Sequence, residues 1–326
     1  MSILVTGGMG FIGSNFIRRY LMEESDKVVN FDGLTYAANP DTLQDLQESS
    51  RYEFVYGYIG SRRQIEQILE KHKPHTIINF AAESHVDNSI LNSEPFFTTN
   101  VFGTMNLLEC VKRVCPKTFF LHVSTDEVYG SLDAWDSPST EKTAYAPRSP
   151  YAASKAASDH LVMAYHHTHG LRTIITNCSN NYGPYQHAEK FIPTVIRKAM
   201  AGEQIPVYGT GMNIRDWIHV QDHCDALIEI IRNGIIGERY NIGGGVQKTN
   251  LEVAEVILSF MGLPNDFITF VPDRKGHDFR YDLDIGKIER EIGWRPTINF
   301  WSGLKDTVKW YRNNMEWVNS CRKHSG

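Results

Sequence analysis

Short apolar runs, each closed by glycine or an acid and followed by helical spacing, set the rhythm of the first half of the chain. Residues 3–6 form the first run and predict a strand, which leads through GGMGFIG into a helical pattern over 14–22. A second strand is predicted over 27–31, ending at Asp32, and a third over 52–56. Residues 61–72 predict a helix with Ile65, Ile68 and Leu69 on one face. Residues 76–80 predict a buried strand that runs into AAESHVDNS. Residues 98–114 predict one long amphipathic helix through Val101, Met105, Leu108 and Val111, and 119–123 another short buried strand. This alternation predicts an α/β fold, a doubly wound parallel sheet with right-handed crossovers.

Residues 132–150 are rich in Ser, Thr, Pro and acids and read as a surface loop. A helix then opens at Tyr151, with Pro150 and Gly170 as its start and stop signals. After a β-rich run over 171–177 the texture changes. SNNYGPYQ, PVYGTG, NIRDWIHV and GGGVQKTN are turn-rich segments between short elements, and they predict a smaller, irregular α/β lobe. The helical pattern over 220–233 interrupts that lobe and can return to the first one. The expected division is therefore 1–178 with 219–245 in the first domain, and 179–218 with 246–326 in the second. A ligand is expected between the two.

Gly7, Gly10 and Gly13 follow the first strand at G-x-x-G-x-x-G spacing. Glycine lets the backbone turn tightly and approach a pyrophosphate, and the helix start offers free N–H groups. Asp32 ends the second strand, close to the separation expected for an acid that accepts hydrogen bonds from an adenosine ribose. Such a carboxylate repels a 2′-phosphate, which favours NAD over NADP. Ala81 and Ala82 are small enough for a flat cofactor to lie against the backbone, or simply for a helix to pack there.

The fifth predicted strand end carries HVSTDEVYG, which places Thr125, Asp126 and Glu127 where open parallel sheets bind ligands. Two adjacent acids there suit general acid–base chemistry if their surroundings push their pKa values apart. Tyr151 and Lys155 are spaced i, i+4 and share a helix face. An ammonium and an oxidised nicotinamide beside the phenol are together expected to lower its pKa toward the working range, so that it can take a proton from a hydroxyl as hydride leaves the same carbon.

Composition narrows the partners. The 326 residues carry a formal charge of -5, which offers no electrostatic argument for nucleic acid or an anionic membrane. No apolar run approaches the ~18 residues of a membrane span. The five cysteines are scattered without a C-x-x-C pair, so neither a disulfide framework nor a structural zinc site is expected. His166, His167 and His169 form a possible metal cluster, but adjacent residues of a helix do not share a face, so they read as solvated or packed and no metal is expected. The first strand begins so early that no leader is expected, and a cytoplasmic protein is.

TGGMGFIG, Asp32, AAESHVD, STDEVYG, YAASK, SNNYGPYQ, NIRDW and DRKGHD together resemble the extended short-chain dehydrogenase/reductase family, within it the dTDP-glucose 4,6-dehydratases. The resemblance runs from residue 3 to about 311 and implies a Rossmann domain and NAD. Its most specific piece is T-D-E, since epimerases and decarboxylases of this fold generally lack the acid pair. It implies Thr125, Asp126, Glu127, Tyr151 and Lys155 as catalytic residues. Gly7, Gly10, Phe11, Ile12, Gly13, Asp32, Leu34, Thr35, Ile59, Ala81, Ala82, Ser84, Thr99 and Asn181, with Tyr151 and Lys155, would line the cofactor. His85, Thr125, Asn180, Lys190, Phe191, Tyr208, Arg215, Asn250, Arg274 and His277 would line a nucleotide-diphosphate sugar. Arg215 suits a diphosphate because its guanidinium is planar and always charged, although it could also simply pair with Asp216. The resemblance further implies a homodimer through helices 98–114 and 151–169. The pattern departs from the family's usual one at Tyr58, where an acid usually meets the adenine, and at Asn88 and Asn177. A dehydratase of another sugar nucleotide, such as UDP-N-acetylglucosamine, and a silent nucleotide-binding regulator stay open.

Overall fold

Apolar residues that alternate along the first strands sort onto two faces of one sheet, and that sheet organises the molecule. The structure, a computed structural model, describes residues 1–323. Its strands are β1 (Ser2–Thr6), β2 (Lys27–Asp32), β3 (Tyr52–Tyr56), β4 (Thr76–Asn79), β5 (Phe119–Thr125), β6 (Arg172–Cys178), β7 (Asn180–Tyr182), β8 (Ile205–Tyr208), β9 (Ile214–His219), β10 (Arg239–Ile242), β11 (Gln247–Thr249) and β12 (Ile268–Val271). Its helices are α1 (Phe11–Glu23), α2 (Arg62–His72), α3 (Val86–Leu91), α4 (Glu94–Phe96), α5 (Thr104–Val114), α6 (Pro150–His169), α7 (Phe191–Ala201), α8 (Val220–Asn233), α9 (Asn250–Met261), α10 (Gly286–Ile292), α11 (Phe300–Asn313) and α12 (Met315–Lys323).

Seven strands form a parallel sheet in the order β10-β6-β5-β4-β1-β2-β3. Strand order reverses between β1 and β4, so the crevice at their carboxyl ends is the switch point where such sheets take ligands. Because side chains alternate across a strand, Ile3, Val5, Val28, Ile78, Leu121 and Ile174 pack on one face with α1 and α8. Leu4, Val29, Ile77, Phe120 and Ile175 pack on the other with α2, α5 and α6. A further core, including Ile192, Val195, Ile257, Leu304 and Val308, joins α7, α9 and α11. It lies beside a three-stranded sheet, β11-β9-β7, and a two-stranded one, β12-β8. The last helix turns back: Trp317 Nε1 donates to Thr42 Oγ1 at 2.9 Å in the turn Pro40–Leu46.

Two elements differ from the sequence expectation. The single helix expected over 98–114 is divided, with Phe97–Gly103 winding as a π-helix before α5. The wider turn coincides with Asn100, whose side chain accepts from the Glu83 amide at 2.9 Å and donates to the Glu83 carbonyl at 3.0 Å and to Ser154 Oγ at 2.8 Å. Strand β5 also extends two residues past Val123 to Thr125, which pairs in register with Cys178 of β6.

Candidate active site

Two adjoining cavities open at the carboxyl edge of the large sheet. The first, of about 470 Å³, is bounded by the glycine turn, the end of β2, residues 80–84 after β4, and the end of β5. The second, of about 280 Å³, lies between α3 and the second lobe. They share Ser84, Glu127, Asn180, Asn181, Gln186 and Lys190.

The glycine turn fits the edge of the first cavity only without side chains. Gly7 has φ +72°, and a Cβ there would stand 2.5 Å from the Ala81 amide nitrogen; at Gly13 it would stand 2.4 Å from the Gly7 carbonyl oxygen. Asp32 is held by two backbone donors, Met9 N–H at 2.9 Å and Leu34 N–H at 2.7 Å. Burial raises its pKa, and those two donors oppose the rise. Phe11, Ile12, Thr35, Ile59, Ala81, Ala82, Ser84, Thr99 and Asn181 line the same cavity. Leu34 does not: its backbone turns at φ +49°, and its side chain packs against the sheet core. Tyr58 reaches the rim, its ring against Gly33. The cleft at the sheet edge, the glycine turn and the anchored acid fit a dinucleotide.

Thr125, Asp126 and Glu127 come together with Tyr151 and Lys155 at the inner end of this cavity. Thr125 ends β5 and caps a single 3-10 turn, Asp126–Tyr129; its Oγ1 accepts from Glu127 N–H at 3.3 Å and donates to Asp126 Oδ1 at 3.2 Å. It also faces the Tyr151 phenol, whose pKa it draws down slightly. Asp126 is buried, and its pKa is driven far up by that burial, by Glu127 and by Asp216, against the pull of Arg215. Glu127 is also raised by burial, but Arg215, Lys190 and Arg274 counter the rise. A pair this close titrates as a unit, and its shared proton is favoured on Asp126.

Tyr151 corrects the sequence expectation. Burial and the Glu127 carboxylate push its phenol well up, and Lys155 does not offset them. The Lys155 ammonium instead donates to the Val123 carbonyl at 2.9 Å, and burial lowers its own pKa.

His85, Asn180, Lys190, Phe191, Tyr208, Arg215, Asn250, Arg274 and His277 all line the second cavity, whereas Thr125 opens only on the first. Arg215 lies over the Tyr281 ring at 4.4 Å and donates to the carbonyls of Ile214 at 2.8 Å and Asp278 at 3.0 Å. It is not paired with Asp216, whose oxygens accept from Gly244 and Val246 N–H. Arg274 grips Asp87 through two contacts, 2.6 and 2.9 Å, and lies over Tyr208 at 5.2 Å. Lys190 donates to the Ser84 carbonyl at 2.8 Å. Sequence reasoning missed Asp87, Asp278 and Tyr281 on this wall. The two acids stand in AAESHVD and DRKGHD themselves, so an acid next to basic or aromatic residues was the available signal; Tyr281 carried none.

The sheet order, the glycine turn and the Tyr151–Lys155 helix define an extended short-chain dehydrogenase/reductase of Rossmann type. A family model described as GDP-mannose 4,6 dehydratase matches residues 4–307. A dTDP-glucose 4,6-dehydratase from Xanthomonas campestris is 49% identical over 97% of this chain and 94% of its own. One from Haemophilus influenzae is 49% identical over 96% and 98%. The crystal structure of DesIV, a dTDP-glucose 4,6-dehydratase from Streptomyces venezuelae with NAD and TYD bound, superposes with TM-score 0.95 at 46% identity, covering 98% of this chain and all of that one. The chain belongs to this family of sugar-nucleotide dehydratases, alongside the dTDP-glucose 4,6-dehydratases. Among the described residues no helix is long and apolar enough to cross a membrane, and no group of His, Cys, Asp and Glu could hold a metal ion.

Proposed function

We propose that the chain converts dTDP-glucose to dTDP-4-keto-6-deoxyglucose, with NAD in the first cavity and the nucleotide sugar in the second. The observation that carries this reading is the acid pair where the cavities meet, one member favoured neutral and the other flanked by cations. Epimerisation at carbon 4 needs oxidation and reduction alone, whereas loss of water across carbons 5 and 6 also needs an acid and a base.

Bound NAD supplies the redox chemistry, accepting hydride from carbon 4 and returning it at carbon 6. The glycine turn and Asp32 would hold it, with Ile59, Ala81 and Thr99 as walls. Tyr151, facing Thr125, takes the proton of the carbon 4 hydroxyl; the Lys155 ammonium favours the resulting phenolate, opposing without outweighing the burial that holds the phenol up. The ketone acidifies the carbon 5 proton, which Glu127 removes. Asp126 gives its proton to the carbon 6 hydroxyl, which leaves as water. Protonation at carbon 5 closes the sequence. Arg215 and Lys190 face the diphosphate, where a guanidinium fork and an ammonium match its charge.

The chain is proposed to be a cytoplasmic homodimer. Phe97 and Phe102, 39% and 55% exposed, give the α4–α5 stretch an apolar outer face that a second copy would cover.

Incubation with dTDP-glucose and with UDP-N-acetylglucosamine in separate reactions tests the assignment. A 4-keto product lighter by one water is expected from dTDP-glucose, with NAD unchanged at the end. Turnover of only the other substrate, or of neither, would contradict it.

A further inference from the structure

One turn beyond Lys155 on α6 lies a second acid that the reaction as described does not use. Asp159 is fully buried. Its Oδ2 accepts from Tyr145 O–H at 2.7 Å, Ser124 Oγ at 3.0 Å and Asn177 Nδ2 at 3.2 Å. Its Oδ1 lies 3.4 Å from His122 Nε2. These donors come from β5, β6 and the loop before α6, so the main sheet itself builds the pocket. Three hydrogen bonds to one oxygen hold a carboxylate in its charged form even without water.

The groups facing this pocket are few. His122 of β5, its other ring nitrogen 3.1 Å from the Asn79 amide, is held by burial at a pKa of about 4 and is neutral near pH 7. Tyr145 and Tyr129 are pushed up by burial and are neutral too. Cys178 of β6 stays a thiol, held at about 12 by burial. Arg239 of β10 lies over the outer ring of Tyr145 at 4.6 Å. Asp126 stands at the far end, toward the cavity. Lys155 is the cation on the inner side, and its one hydrogen bond is to a neutral carbonyl. A buried ammonium with only a carbonyl partner tends to lose its proton, and Asp159 is the carboxylate whose field opposes that loss.

We propose that Asp159 is a positioning residue of the reaction: its buried carboxylate is the counter-charge that keeps Lys155 an ammonium beside Tyr151. The proposal rests on the reading above that an ammonium must favour the Tyr151 phenolate. His122, Ser124, Tyr145 and Asn177 then serve to keep the counter-charge in place, which explains why a polar cluster sits in the middle of an apolar sheet.

Two measurements on the full chain test it. The first is the pH profile of kcat for Asp159→Asn, which removes the charge and keeps the shape. The alkaline limb is expected to move down by about one pH unit or more, because Lys155 loses its proton earlier. KM for the sugar nucleotide, set in the second cavity, is expected to change less than about twofold. An unmoved limb would overturn the proposal. The second is a thermal-melting cycle with Asp159→Asn, Lys155→Met and the double variant, which needs no substrate and so stands even if the dehydratase assignment fails. Each single change strands a buried charge, so the double variant should melt higher than Asp159→Asn alone, or restore folding where Asp159→Asn abolishes it. Additive losses, or no recovery, would show an acid that serves only its hydrogen bonds.

Discussion

A carboxyl group that must give up a proton near neutral pH has to be kept from ionising, and Asp126 is placed for that. It is buried, and the charges of Glu127 and Asp216 both oppose its ionisation. The arrangement costs stability. Its folded pKa lies above the unfolded value, so stability is greatest at low pH and falls as pH rises from the unfolded value through the folded one. Asp126→Asn escapes that loss. The variant is expected to melt higher than the wild type at pH 8, by a few degrees, with the gap closing toward pH 4, while dehydration is abolished. Equal melting at pH 8 would show that Asp126 is not held neutral. The two acids were legible in STDEVYG as strand-end groups. The family resemblance implied Asp126 as the protonated one, but the groups that favour it were not legible, because Asp216 and Arg215 come from β9 and Lys190 from the edge of α7, far along the chain.

Among the elements, the turn between β1 and α1 is the one whose sequence and shape agree most closely. Gly13 lies in the first turn of α1, and the obstacle to a Cβ is a backbone oxygen that no side-chain rotation can move. Gly13→Ala is therefore expected to weaken NAD binding by about tenfold or more, roughly 1.4 kcal/mol, as read by titration calorimetry. Unchanged affinity would mean that the turn can relax. The strands and helices of the first half follow from short continuous apolar runs and helical patterning. The π-helix does not: it coincides with Asn100, whose bonds to Glu83 and Ser154 spacing cannot reveal. Leu34 was misplaced for a similar reason. Its position after Asp32 suggests a cavity wall, but a positive φ turns the side chain into the core.

At the scale of the molecule, two lobes close over one crevice and are tied across it. Arg274 of the second lobe grips Asp87 of α3 in the first. At the other end α12 returns to the first lobe, where Trp317 packs edge-on against Tyr185 and Trp310 and donates to Thr42. That contact braces the segment following the Asp32 loop. Trp317→Ala is expected to cost about 2–3 kcal/mol, seen as a lower urea midpoint, and to weaken NAD binding as the Asp32 loop loosens. Loss of stability with NAD affinity intact would separate the two. This long-range closure left little trace in the sequence beyond the turn-rich texture after residue 178, since each contact joins residues remote in the chain.

The division of labour between the acid pair and the Tyr151–Lys155 pair is tested most directly by Glu127→Gln incubated with dTDP-glucose in deuterated water. Oxidation at carbon 4 should still produce NADH absorbance, while carbon 5 takes up no deuterium and no 4-keto-6-deoxy sugar forms. Deuterium entering carbon 5 at the wild-type rate, or no NADH at all, would contradict the account.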